Sequence, residues 1–186
     1  MFPLTLLPLP GELVPLHIFE PRYRQLLSDC ETSDISFGIY CNHDLNQEKV
    51  GSLMKLESVI KRYPTGESDI IVRCIDVFSM NKLYRNFSNK LYPGGDVVLR
   101  KADPSQIPSI ELYELFLIYQ QRRNLKNVGT ASTYQIAQEL SLDLHERYKF
   151  LTASLDKQQA FLINQLKFQM HVLLQEEKSK DVFHLN

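Results

Sequence analysis

At 186 residues the chain is long enough for one full hydrophobic core or for two small subdomains, and 44% hydrophobic with 23% charged residues is the usage of a folded globular protein. The formal net charge is −1, acidic and basic residues are intermixed, and no block of five like charges occurs, so the basic stripe of a nucleic-acid footprint is missing. No apolar run approaches the roughly 18 residues of a membrane span, and Pro3, Pro8 and Pro10 interrupt the apolar core that a signal peptide would need. A cytoplasmic protein without DNA or membrane partners is expected.

Residues 3–7 read as a short opening strand. Pro8, Pro10 and Pro15 then fix φ and remove three backbone donors, so no regular ladder is expected to run through them unbroken, and Gly11 after Pro10 marks a turn. Leu13–Phe19 is mostly apolar but too short and interrupted for a buried helix. Pro21 suits the first position of a helix, where its missing N–H costs nothing, and Tyr23, Leu26, Leu27 and Cys30 then fall on one face. Glu20 and Arg24, four apart, are expected to form an exposed pair worth ~0.3 kcal/mol.

Ile35, Phe37, Ile39 and Cys41 alternate with Ser36, Gly38 and Tyr40 in a half-buried strand pattern, and Asn42–Lys49 is a polar loop. Val50–Tyr63 has apolar residues on both parities, which predicts a bulge or burial of both faces. Pro64-Thr65-Gly66 makes a hairpin, and Ile70–Phe78 returns as its partner. Leu83–Tyr92 is a weakly patterned strand candidate, Pro93-Gly94-Gly95 a turn, and Asp96–Lys101 a short strand. About six short strands with turns between them suggest a small closed or nearly closed barrel, since closure removes exposed edges.

After Asp103-Pro104-Ser105 the chain becomes helical. One helix runs from Ser109 to about Arg123, followed by a loop at Asn124–Thr130. Ser132 with Gln135, Asp143 with Glu146, and Asp156 with Gln159 each have capping-box spacing, and Leu155 could staple to Ala160. The last helix reaches about Lys180 with a broad apolar face. Segregated strands and helices make an α+β protein, with a β-rich subdomain at 1–103 and a helical subdomain, a bundle packed on it, at 104–186. Cys30, Cys41 and Cys74 show no CxxC spacing and read as buried free thiols.

The order Pro8-Leu9-Pro10-Gly11-Glu12, then Pro15-Leu16-His17-Ile18-Phe19-Glu20-Pro21-Arg22-Tyr23-Arg24, resembles the signature of the Lon protease N-terminal domain. Val50-Gly51-Ser52-Leu53 and Asp69-Ile70-Ile71-Val72 follow in the family's order, whereas Cys74 and Val77 stand where the family usually has a glycine and an arginine. The resemblance implies a PUA-like β-barrel with one inserted helix, followed by a helical extension, acting as a substrate-binding module. Its partners would be unfolded or partner polypeptides, together with a separate protease or chaperone. It further implies a stand-alone member lacking the ATPase and serine–lysine protease modules.

The motifs that would carry catalysis are missing from the sequence, which fits a non-enzymatic module. No GxxxxGK[ST] loop is present, and His17, His43, His145, His171 and His184 show no metal-ligand spacing. No cofactor is expected. His171 reads as a partly buried, hydrogen-bonded histidine. Nothing marks Cys30 or another cysteine as an activated nucleophile. Candidate peptide contacts are the aromatics in polar contexts, Tyr63, Tyr84, Phe87 and Tyr92, although exposed aromatics are the minority outcome and packing under a loop or against the helical half is the commoner one. The signature residues Pro10, Gly11, Phe19, Glu20, Pro21, Arg22, Tyr23 and Arg24 read as mainly structural, and His17 either packs or donates to a ligand. The alternative is a small-molecule- or RNA-binding PUA-like module.

Overall fold

The computed structural model describes residues 1–85, 87–125 and 129–183, with side chains up to Glu176 in the last helix. Part of the predicted loop at 124–130, one residue of the 83–92 strand candidate, and His184 lie outside the described residues. The elements in order are β1 (Phe2–Leu4), β2 (Leu13–Ile18), α1 (Pro21–Ser33), β3 (Phe37–Cys41), β4 (Val50–Arg62), β5 (Ser68–Tyr84) and β6 (Gly94–Leu99), then α2 (Ile110–Arg122), α3 (Thr133–Glu139), α4 (Leu144–Thr152) and α5 (Leu155–Phe183). They divide into two compact units. The first holds Met1–Pro104 with Leu142–Thr152, and the second holds Ser105–Ser141 with the chain from Ala153 onward. The stretch at 144–152, placed with the helical subdomain on sequence grounds, therefore clusters with the sheet.

In the first unit the strands are ordered β1-β3-β4-β5-β2, with β6 also on β5. The sheet is not closed by hydrogen bonding: β1 pairs with β3, and β2 and β6 pair with β5 alone. Of the closed or nearly closed barrel expected from the strand count, full closure is absent among the described residues. β5 is long enough to take two partners along one edge, β2 opposite its first half and β6 opposite its second. The mixed parity of β4 does reflect bulges, with register shifts at Leu53/Met54, Leu56/Ser58 and Val59/Lys61. The hairpin forms at the predicted place, with Gly66 at φ +89° and its N–H donating to the Tyr63 carbonyl at 2.9 Å.

Two further sequence expectations fail in this unit for physical reasons. An antiparallel ladder runs through Pro15, because Pro15 lies opposite Ile71 at a site whose backbone groups point away from β5. The parity is fixed by the Cys74 N–H donating to the Glu12 carbonyl at 2.9 Å, three residues earlier. On an edge strand, at that parity, the missing proline donor is never needed. The second concerns Leu83–Tyr92, which is not a separate strand. β5 continues to Tyr84, and the chain then turns through an isolated bridge between Phe87 and Lys90.

Helix α1 follows its sequence pattern closely. Pro21 occupies its first turn, and Tyr23, Leu26, Leu27 and Cys30 are buried against Phe37, Ile39, Met54 and Ile70. The Tyr23 ring stacks on Phe2 with centroids 3.9 Å apart. A second cluster of Met1, Phe78 and Met80 exists because Gly38 and Gly51 leave room for the Phe78 ring. Helix α4 carries the predicted reciprocal cap, Asp143 and Glu146 each accepting from the other's N–H at 2.8 and 2.9 Å. Arg147 ties α4 to the proline-rich turn, donating to both Glu12 carboxylate oxygens at 2.7 and 3.0 Å and to the Leu7 carbonyl at 3.3 Å.

In the second unit α2 and α5 run in the same direction. The Ser109 N–H donates to Gln159 at 2.7 Å, and the Tyr119 hydroxyl donates to Gln169 at 2.7 Å. Ser109 caps α2, and Ser132 with Gln135 forms the predicted capping box on α3. The Asp156–Gln159 box does not form. Helix α5 begins at Leu155, before Asp156, and Gln159 turns to Ser109 instead. His171 is exposed, contrary to its sequence reading.

Candidate functional site

The candidate aromatics occupy three separate places in the first unit. Tyr84 and Phe87 share the far end of β5 with β6. The Tyr84 hydroxyl donates to Asp96 at 2.6 Å, which holds that hydroxyl above its usual pKa, and the Lys82 ammonium sits 4.9 Å from the ring centre. Phe87 lies over Gly94, whose missing side chain lets the ring approach: a Cβ there would come within 2.5 Å of Phe87 Cγ. Gly94 is opposite Tyr84, so Tyr84, Phe87, Asp96 and Val98 share one face of the β5–β6 ribbon. Phe87 is 44% and Val98 55% exposed.

The backbone adds to this face. β6 pairs with β5 only, so among the described residues its outer edge carries no strand. The Arg100 N–H donates to the Val77 carbonyl at 2.8 Å, which makes Leu99 opposite Phe78 a pair whose N–H and C=O point outward. An extended segment could pair with these groups while its side chains met Phe87 and Val98. The sequence predicts the short strand at 96–101, but neither its outer edge nor Val98 stands out as a contact, because an open edge is a matter of pairing and leaves no local pattern.

Tyr63 is at the other end of β5. Its hydroxyl donates to Asp69 Oδ2 at 2.7 Å, and Asp69 Oδ1 lies 2.6 Å from His17 Nδ1. These two hydrogen bonds, His17's first, hold the Asp69 carboxyl below its ordinary value. His17 and Asp69 are directly opposite across β2 and β5, at the parity where side chains approach most closely. The His17 ring meets Tyr63 edge-on and stacks with Phe19, which is 55% exposed. Arg24 reaches the hairpin carbonyl of Thr65 at 3.0 Å, and Glu20 pairs with Arg22 at 2.6 Å rather than with Arg24. Glu20 is the extended N-cap residue of α1, and Arg24 fastens the hairpin tip. Pro10 and Gly11 form the turn, and the Gly11 N–H donates to the Cys74 carbonyl at 2.8 Å with φ +85°.

Tyr92 is buried at 6% exposure, and its hydroxyl donates to Asp29 at 2.6 Å beside Lys90. Burial, then the bond to Asp29, pushes its pKa up. The three cysteines are buried and unpaired. Desolvation pushes Cys30 up to about 11 and Cys74 up to about 12, so both stay thiols at neutral pH, the opposite of an activated nucleophile. Val77, where the signature family usually has arginine, is buried, so no charge needs accommodating there. Among the described residues no three His, Cys, Asp or Glu side chains are grouped to hold a metal ion, and no helix is long and apolar enough to cross a membrane.

The family model for the ATP-dependent protease La (LON) substrate-binding domain matches residues 1–167. The chain belongs to the Lon substrate-binding domain family. Its fold is also similar to solved Lon domains. One is a Lon N-terminal domain protein from Xanthomonas campestris, 24% identical, with TM-score 0.63, over 82% of this chain and 88% of that one. Another is the N-terminal domain of a Mycobacterium avium complex Lon protease, 16% identical, with TM-score 0.59, over 87% of this chain and 92% of that one. A search of curated protein sequences gave no match. The residues at 10–24 that carry the resemblance lie in β2, α1 and the turns before them.

Proposed function

We propose that this Lon-family domain is a non-enzymatic module that binds unfolded or partner polypeptides at the β5–β6 rim, in the cytoplasm, on behalf of a separate protease or chaperone. The observation that carries this reading is the unpaired outer edge of β6 lying beside exposed Phe87 and Val98. Main-chain pairing supplies affinity for any extended segment, and the apolar side chains favour segments that a folded protein would hide. Tyr84 contributes a ring edge, while Tyr63 at the opposite end of β5 is a second, separate contact. Tyr92, buried in the core cluster around α1 with its hydroxyl on Asp29, is left out of the contact surface. A PUA-like relationship of the sheet fits the family resemblance, but the intermixed charge of the chain gives no reason to prefer an RNA ligand.

The test is fluorescence anisotropy with a labelled, reduced and carboxymethylated protein that stays unfolded. Phe87→Ser and Val98→Ser are expected to weaken binding by about fivefold each, roughly 1 kcal/mol, with Tyr63→Ser unchanged or slightly weaker. Equal affinity in both rim variants overturns the site, and no binding by the unmutated domain overturns the function.

A further inference from the structure

The two strands that share one side of β5 differ in how their outer edges are protected. On β2 the residues whose backbone groups point away from β5 are Leu13, Pro15 and His17. Pro15 has no N–H to offer, so a further strand could not pair through the middle of that edge. On β6 the outward positions are Val97 and Leu99, at the parity set by the Arg100 N–H on the Val77 carbonyl. Val97-Val98-Leu99 contains no charge, no proline and no glycine, and Val98 is 55% and Leu99 43% exposed. Neither proline nor charge, the common devices that keep a sheet edge single, interrupts this run.

The run is also complementary to itself. Laid antiparallel on a second copy about a two-fold axis at Val98, Val97 falls opposite Leu99 of that copy, and Leu99 opposite its Val97. Each of these pairs exchanges both N–H···O=C bonds, using backbone groups that have no strand partner among the described residues. Val98 then meets Val98 of the second copy across a non-hydrogen-bonded pair, where Cα atoms lie about 4.5 Å apart and side chains touch. The next residues on that face, Asp96 and Arg100, fall opposite each other, so no like charges are set together. Both keep their partners within the chain, Asp96 the Tyr84 hydroxyl and Arg100 the Glu48 carboxylate, and no new ion pair is asked of them. Moving the axis to Val97 or to Leu99 sets Val98 against Asp96 or Arg100 instead, which loses the apolar contact.

We propose that β6 pairs antiparallel with β6 of a second copy, and that this pairing covers the rim until an unfolded segment displaces it. Six residues per copy is a small contact against the about 20–30 a side of a standard interface. The pair is therefore weak and exchangeable, which suits a cover over a binding edge. The pairing stands on the geometry of β6 alone, whereas the displacement rests on the polypeptide-binding role proposed for this rim.

The test is oxidative cross-linking of the intact protein carrying one added cysteine on β6, with copper phenanthroline as oxidant. The three native cysteines are buried, which keeps the background low. Val98→Cys sets two thiols across the central pair at a Cα spacing that a disulfide accepts, whereas Asp96→Cys leaves them roughly 13 Å apart along the strands. Val98→Cys is expected to form a covalent dimer at least about tenfold faster than Asp96→Cys, and sedimentation of the unmutated protein should show dimer growing with concentration. Equal rates at the two positions, or an unmutated protein that stays monomeric up to about 1 mM, overturns the pairing. Adding a reduced, carboxymethylated polypeptide, which has no thiol of its own, is expected to slow the cross-linking of Val98→Cys. Binding of that polypeptide with the rate unchanged overturns the displacement while the pairing stands. Binding without any cross-linking overturns the pairing and leaves the polypeptide site intact.

Discussion

Asp69 shows how one carboxylate can join three segments of chain. It accepts from His17 on β2 and Tyr63 at the hairpin, and both bonds favour its charged form, so its folded pKa lies below its unfolded value. A carboxyl depressed in this way adds stability above the unfolded pKa, ordinarily 3.8, and loses it as pH falls through that value toward the lower folded one. Urea midpoints measured from pH 6 down to pH 3 should therefore drop, and the drop should be shallower in Asp69→Asn. Identical slopes in both proteins would show that the bonds carry no linkage. Phe19 gives the residue-scale contrast: it belongs to the signature run yet is 55% exposed, with its ring stacked on His17.

Among the elements, α1 and the β4–β5 hairpin were legible because their signals are local. A proline at the first helical turn, four apolar residues on one face, and Pro-Thr-Gly between two apolar runs each act within a few residues of themselves. The attachment of α4 had no such signal, since Arg147 finds Glu12 more than a hundred positions earlier, and no spacing rule covers that reach. This ion pair is about four-fifths buried on both sides. Arg147→Met should cost about 3 kcal/mol in urea denaturation, because it strands the Glu12 carboxylate, while Glu12→Gln/Arg147→Met together should cost less. A single-variant loss below about 0.5 kcal/mol would reassign the contact to the surface class. The rim was half legible for the same reason: Tyr84 and Phe87 stood out as aromatics among polar residues, but the open edge of β6 is a property of pairing, which no single segment encodes.

At the level of the whole chain, segregation of strands before helices was readable from periodicity, and the family was readable from the run at 8–24. Sheet closure was not, because strand number alone does not say whether the outermost strands meet. What the chain has instead is β5, whose first half pairs with β2 and whose second half pairs with β6, both on the side away from β4. That arrangement has a kinetic meaning. Arg62 meets Ser68 across a few residues, whereas Leu13 meets Arg73 across roughly sixty, so the hairpin closes at small entropic cost and β2 arrives late. In stopped-flow chevrons Gly66→Ala, strained at φ +89°, should slow refolding, while Leu16→Ala on β2 should mainly speed unfolding. The reverse assignment would make β2 part of the nucleus. With the expected order, β5 is a template laid down early, and during the interval before β2 docks its first half is an unoccupied edge, the place where a competing chain would have to intervene.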